Sequence, residues 1–276
     1  AAATVSSKLN KITNTLNLEE LSPFYLELID IIIGIERMDR AISALNWAKK
    51  TIAKYETTYR RKIRMAKKDD EIYRYRSEFY GKLSSVLKKI GNQFIFLSSA
   101  RDKLKDLPSF EDTFTIVIAG PPNVGKSTLL QKVTGSTPKV DVYPFTTKQI
   151  LVGHFERGHE RYQVVDTPGL LDRRLEDRNP IEKQAVMALK HLARVVIFMF
   201  DPSETCGFPM EEQKKIYKDI SGAFDLPLLV VLNKSDLQES EKHIKDLGKN
   251  SYICSAKEGT GIEEIVDATL KIIHTS

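Results

Sequence analysis

From Met38 onward the apolar positions Met38, Ala41, Leu45, Ala48, Ile52, Tyr55 and Tyr59 advance by alternating steps of three and four, tracing one seam of a long amphipathic helix. Ile72, Phe79, Leu83, Val86 and Ile90 repeat the pattern, and Phe94 and Leu97 extend or follow that second helix. Ser22 and Pro23 suit the cap and first position of an earlier helix running to Ile33. The spacing predicts three or four helices packed as an antiparallel bundle over residues 1–107.

After Leu107-Pro108 the period changes. Short apolar runs at residues 115–119, 162–165, 195–200 and 228–232 each fit a buried strand. Asn179, Pro180 and Glu182 suit a helix start between them, as do Thr260 and Glu263 before the last helix. Strands alternating with helices predict an α/β domain over residues 108–276, with a mostly parallel sheet flanked by helices. No apolar run approaches the roughly 20 residues needed to cross a bilayer. The start, AAATVSSKLN, lacks the basic and apolar segments of a signal peptide.

Composition changes this picture in two ways. The 276 residues are 41% hydrophobic and 29% charged, which excludes a disordered chain, and two cysteines, Cys206 and Cys254, exclude a disulfide framework. A reducing, cytoplasmic setting is expected. The net charge of +5 is unevenly spread, with 21 Lys/Arg against 13 Asp/Glu before Pro108 and 21 against 24 from there on. Such asymmetry points to an anionic partner for the first half.

The chemistry lies in the second half. Gly120-Pro-Pro-Asn-Val-Gly125-Lys126-Ser127 matches GxxxxGK[ST] between a predicted strand and a helix, the context of a phosphate-binding P-loop. Loop residues Asn123, Val124, Gly125 and Lys126, with Ser127 and Thr128 of the first helical turn, would surround a nucleotide's phosphates. Lys126 would reach the β and γ oxygens, and the Ser127 hydroxyl would ligate Mg²⁺. Asp166-Thr-Pro-Gly169 follows another strand; its aspartate can hold Mg²⁺ through water and the Gly169 N–H can face a γ-phosphate. Thr147, rather than Thr146, is expected to complete the metal shell.

Asn233-Lys234-Ser-Asp236 ends the strand at 228–232, where a parallel sheet presents ligand loops. An Asp236 carboxylate accepts from guanine N1–H and the 2-amino group, which adenine cannot supply. Lys234 would lie along the base, Asn233 would brace the loops, and the Ala256 N–H of Ser255-Ala256-Lys257 could donate to guanine O6. The expected ligands are GTP and GDP.

Together GPPNVGKS, YPFTTK, DTPGLLDRRLEDRNPIE, DPSETCGFP, NKSD and SAK resemble the nucleolar GTP-binding protein family of the Obg-type GTPases. YPFTTK narrows a general GTPase pattern to the Obg group, and DRRLEDRNPIE with DPSETCGF points to the nucleolar branch. The chain looks like an archaeal-type or shortened member, because it stops soon after its last helix. The resemblance implies a GTP-hydrolysing switch in large ribosomal subunit assembly. Obg-group relatives also suggest a signalling or stress role with a protein partner, and an RNA-binding scaffold that uses GTP only as a ligand is a further reading.

Hydrolysis raises a problem, since the residue after Gly169 is Leu170, which cannot orient water as the glutamine of many switch GTPases does. Slow turnover is expected, unless another residue orients the water. Asn123 either stabilises the turn or, as in related GTPases with asparagine there, helps hold a potassium ion that supplies charge to the phosphates; Lys126, Thr147 and Gly169 complete the expected catalytic set. Arg173, Arg174 and Arg178 could supply charge in cis, but charge runs usually face solvent or a partner. Residues 60–68, RRKIRMAKK, carry six basic groups near Tyr55, Tyr59, Tyr73 and Tyr75, a combination suited to ribosomal RNA, although basic residues also form ordinary solvated faces. No DNA or membrane partner is expected.

Overall fold

The computed structural model describes residues 2–15, 18–105, 107–135, 137–143, 149–237, 240 and 251–275. It divides into two compact units, Ala1–Asp106 and Leu107–Ser276. Among the described residues no helix is long and apolar enough to cross a membrane.

The first unit holds helices α1 (Ala2–Thr15), α2 (Pro23–Ile33), α3 (Ile35–Met65), α4 (Asp69–Lys89) and α5 (Gly91–Leu104). The seam Met38, Ala41, Leu45, Ala48 and Ile52 is buried, and α3 packs on the other four helices through it. Tyr59 continues the seam as a buried ring, whereas Tyr55 is half-buried. Leu83, Val86 and Ile90 bring the second stripe into the same core. Only residues 66–68 separate α3 from α4, so the packed pair runs antiparallel. Among the described residues five α-helices replace the expected three or four, for identifiable reasons. In α1, Ser, Thr, Asn and Lys dilute an apolar stripe that buries Ala2 and Leu9, and Ile90 at φ −100° breaks the ladder so that α5 starts afresh.

The second unit is a sheet flanked by helices. Its strands are β1 (Phe114–Ala119), β2 (Lys139–Val142), β3 (Gln149–Arg157), β4 (Glu160–Asp166), β5 (Ala193–Phe200), β6 (Leu228–Leu232) and β7 (Tyr252–Ile253), in the order β2-β3-β4-β1-β5-β6-β7. The five strands from β4 to β7 in that order are parallel; β3 and β2 are added antiparallel beyond β4. Helices α6 (Lys126–Thr134), α7 (Pro180–Ala188), α8 (Met210–Ala223) and α9 (Ile262–Thr275) connect or close the layers. Asn179 and Glu182 form a reciprocal capping box at α7. Thr260 does not cap α9; its carbonyl accepts from the Ser255 N–H in an isolated bridge.

Register decides where the ligand loops emerge. Ile118 lies opposite Asp166, Ala119 opposite Phe198, and Phe200 opposite Leu232. The carboxyl ends of β1, β4, β5 and β6 therefore open on one edge, where parallel α/β sheets gather their binding loops.

Candidate functional site

The P-loop leaves β1 at Gly120 and becomes α6 at Lys126. Gly125 has φ +105°, and a Cβ there would lie 2.2 Å from Asn233 Nδ2, so glycine is required by both conformation and space. Asn123 also adopts a left-handed conformation, φ +61°, and stands exposed at the loop. Val124 is buried and Thr128 is exposed on the first turn of α6. Lys126 is buried, with Nζ donating to the Gly120 and Pro121 carbonyls at 2.8 Å each. That ring of carbonyls holds the ammonium within the cradle.

Beside it, Ser127 Oγ donates to Asp166 Oδ2 at 2.5 Å. Asp166 is fully buried at the end of β4, its Oδ1 has no hydrogen-bond partner among the described residues, and burial raises its pKa. A buried carboxylate oxygen without a donor, next to a hydroxyl, fits a hard divalent cation such as Mg²⁺. Thr147, expected to join them, lies outside the described residues.

Asn233 is the junction of the loops at this edge of the sheet. Its Nδ2 donates to the Val124 carbonyl at 2.7 Å, and its Oδ1 accepts from the Ala256 N–H at 2.8 Å and from Cys254 Sγ at 3.4 Å. One side chain thus ties the P-loop, the end of β6 and the loop after β7. Asp236 is exposed, and a hydrogen bond from Ser255 holds its carboxyl below the ordinary range. Ser255 is buried, whereas Lys257 is exposed beside Glu258.

Three assignments made from the sequence meet prior partners. The Ala256 amide meant for guanine O6 is donated to Asn233. The Gly169 N–H meant for a γ-phosphate is donated to Asp172 Oδ2 at 2.8 Å. Lys234, at φ +59°, donates from Nζ to Asp201 Oδ2 at 2.7 Å and to Thr205 Oγ1 at 2.9 Å, so its far end is anchored on the end of β5.

Asp201 is the residue that motif reading passed over. It is fully buried, accepts from Lys234, Ser203, Thr205 and the Cys206 N–H, and its backbone is clasped on both sides by Gln213. Burial alone would raise its pKa, but Lys234, Ser203 and the Cys206 amide outweigh burial and hold it below the ordinary value. The signal was an acid directly after a buried strand, on the edge that also presents Asp166 and Asn233. Arg178 likewise differs from the expected solvated charge, its side chain being 1% exposed. Leu170 is buried and offers no polar atom to water.

Comparison with known proteins bears directly on this geometry. Residues 1–111 match the NOG1 N-terminal helical domain, and residues 180–236 match Nucleolar GTP-binding protein 1 (NOG1). An uncharacterised archaeal protein of Methanocaldococcus jannaschii is 43% identical over 87% of this chain and 68% of its own length. The chain belongs to the nucleolar GTP-binding protein 1 family. The family member of Arabidopsis thaliana is 38% identical over 81% of the chain, and that of Caenorhabditis elegans 37% identical over 97%. The chain spans only 34% and 39% of those proteins. A Plasmodium falciparum crystal structure assigned to nucleolar GTP-binding protein 1 aligns at TM-score 0.52 and 33% identity, over 61% of this chain and 91% of that one.

The helical unit of this family member carries a second candidate surface. A hollow of about 630 Å³ is lined by Ala53, Glu56, Thr57, Arg60, Arg61, Arg64 and Met65, and another of about 500 Å³ lies between Arg61, Lys62, Glu71 and Tyr75. Lys62 Nζ sits 5.0 Å from the Tyr59 ring centroid and 5.3 Å from that of Tyr75. Met65 and Tyr73 are each 67% exposed, leaving apolar and aromatic surface among the cations.

Proposed function

We propose that this chain binds GTP and GDP with Mg²⁺, hydrolyses GTP slowly, and acts as a switch in large ribosomal subunit assembly while its basic helical unit contacts rRNA. The observation that carries the nucleotide reading is the Asn233 bridge, which joins the P-loop to the loops bearing Asp236 and Ala256. In this reading Lys126, Ser127, Thr128 and the amides of residues 123–125 hold the phosphates, Asp236 selects the base, and the Ser255 hydroxyl orients that carboxylate. Lys234 covers the base, with Lys257 at the rim. Ser127, Asp166 and Thr147 would hold Mg²⁺, which offsets charge on the β- and γ-phosphates when bound.

Asn123, exposed at the loop, would help hold potassium and so assist hydrolysis in the absence of the usual glutamine. Turnover of GTP by the full chain in Mg²⁺ is expected to be slow and to rise when potassium replaces sodium at constant ionic strength. Equal rates in the two salts would remove potassium from the mechanism, and absent turnover beside tight GTP binding would favour the scaffold reading that buried Leu170 supports.

The rRNA reading rests on the exposed cations around the two hollows. If about four to six of these groups meet phosphates, affinity of the full chain for large-subunit rRNA should fall about 10²- to 10³-fold between about 50 and 200 mM salt. A filter-binding titration checks this, and a salt-independent affinity would remove the electrostatic basis of the assignment.

A further inference from the structure

Gly169 is held on both sides of its backbone. Its N–H donates to Asp172 Oδ2 at 2.8 Å, and its carbonyl accepts from Arg178 Nη1 at 3.0 Å. Two residues later the Leu171 carbonyl accepts from the Gly120 N–H at 3.0 Å, so this turn is pinned directly to the P-loop. Behind it Arg178 and Asp172 are buried, with side chains 1% and 6% exposed. Their closest charged atoms, Nη2 and Oδ1, stand 3.7 Å apart, beyond hydrogen-bonding range. Arg178 Nε and Nη2 are buried with no hydrogen-bond partner among the described residues.

This arrangement is unbalanced. A buried guanidinium is costly unless its fork is filled, and a carboxylate can fill two of its positions at once. The carboxylate beside it gives one oxygen, Oδ2, to a neutral backbone amide. Any acceptor that took the Gly169 N–H would break its bond to Asp172 Oδ2 and favour turning of the carboxylate toward Arg178, which already stands 3.7 Å away.

We propose that Asp172 and Arg178 form a relay that senses the terminal phosphate through Gly169. The relay rests on the nucleotide reading above. With GTP, the γ-phosphate takes the Gly169 N–H and Asp172 closes a bidentate pair with Arg178; with GDP, Asp172 returns to the amide and the pair opens. Arg178 touches no phosphate in this scheme and is a positioning residue. Because the buried pair is completed only in the triphosphate state, it adds to affinity for GTP and leaves GDP affinity unchanged, which is the differential affinity that a switch requires.

The test compares the unmodified chain with Arg178→Lys and Asp172→Asn, measuring the affinities of GDP and a non-hydrolysable GTP analogue at fixed Mg²⁺. Arg178→Lys keeps the charge but loses the fork, and Asp172→Asn keeps the shape but loses the charge. Both variants are expected to bind GDP within about 2-fold of the unmodified chain and the analogue about 10- to 100-fold more weakly, the worth of a charge-assisted hydrogen bond. Equal weakening toward both nucleotides would overturn the relay, because a merely structural role makes no distinction between them.

A measurement on the unmodified chain does not depend on how the variants fold. In spectra of ¹⁵N-labelled arginine, the Arg178 Nε–H signal should shift downfield and exchange more slowly with the analogue than with GDP. An identical signal in the two states would overturn the proposal. Failure of the unmodified chain to bind either nucleotide would instead overturn the nucleotide reading beneath it.

Discussion

Asp236→Asn is expected to weaken GDP binding by about 10²- to 10⁴-fold, the combined worth of two hydrogen bonds to an ionised acceptor. In the proposed site the carboxylate would offer acceptors to both N1–H and the 2-amino group, with the Ser255 hydroxyl bonded to it. An asparagine still accepts from N1–H but sets its own N–H against the 2-amino group. A base with a carbonyl at position 2 removes that conflict. The variant should therefore prefer xanthosine diphosphate over GDP, reversing the preference of the unmodified chain. Calorimetric titration of both diphosphates against both proteins checks this. An unchanged GDP affinity would mean that Asp236 does not read the base, and the guanine assignment would go with it.

Asp201→Ala should have the second large effect, on stability as well as binding. The carboxylate is buried and holds Lys234, Thr205, Ser203 and the Cys206 amide. Lys234 is partly exposed and can be rehydrated, but the buried Ser203 and Cys206 donors lose their acceptor, and the expected loss is about 1–3 kcal/mol in the unfolding free energy of the second unit. Denaturant unfolding at pH 7 measures it. The sign with pH follows from a native pKa below the ordinary 3.8. The Asp201 contribution is complete above that ordinary value and is lost as pH falls through the lower native value. The difference between unmodified chain and variant should therefore persist through neutral pH and shrink only in strong acid. Nucleotide affinity should fall too, because a released Lys234 no longer has its far end fixed.

What could be read from the sequence was what local chemistry settles. The strands β1, β5 and β6 are continuous apolar runs ended by turns, and their burial follows from that. Helix α3 was legible because its seam repeats through six steps. In contrast β3, with Gly153 and His154 in its middle and charged residues at its end, does not look like a strand until β4 pairs with it. Strand β7 has two residues, both exposed, and only the β6 register defines it. The P-loop, NKSD and DTPG motifs were visible because each is a contiguous piece of geometry. Asp201 and Arg178 were not, since their roles depend on how the chain folds back on them, with Lys234 and Gln213 closing on Asp201 and the 169–172 turn covering Arg178. In the charge-rich run DRRLEDR an arginine looks solvated; only the Gly169 carbonyl and Asp172 explain why Arg178 lies inside. The reassigned Ala256 and Gly169 amides make the same point, because a motif identifies a donor but not what it meets before ligand arrives.

A single carboxamide fastened at both ends makes the P-loop and the loop after β7, the proposed seats of the phosphates and the base, one mechanical body. With Asn233 Nδ2 on Val124 and Oδ1 on Ala256, neither half loosens without straining the other, and Gly125 leaves no slack between them. Nucleotide escape should then be all-or-none rather than a stepwise peeling from one end, giving a single dissociation phase and a long residence time.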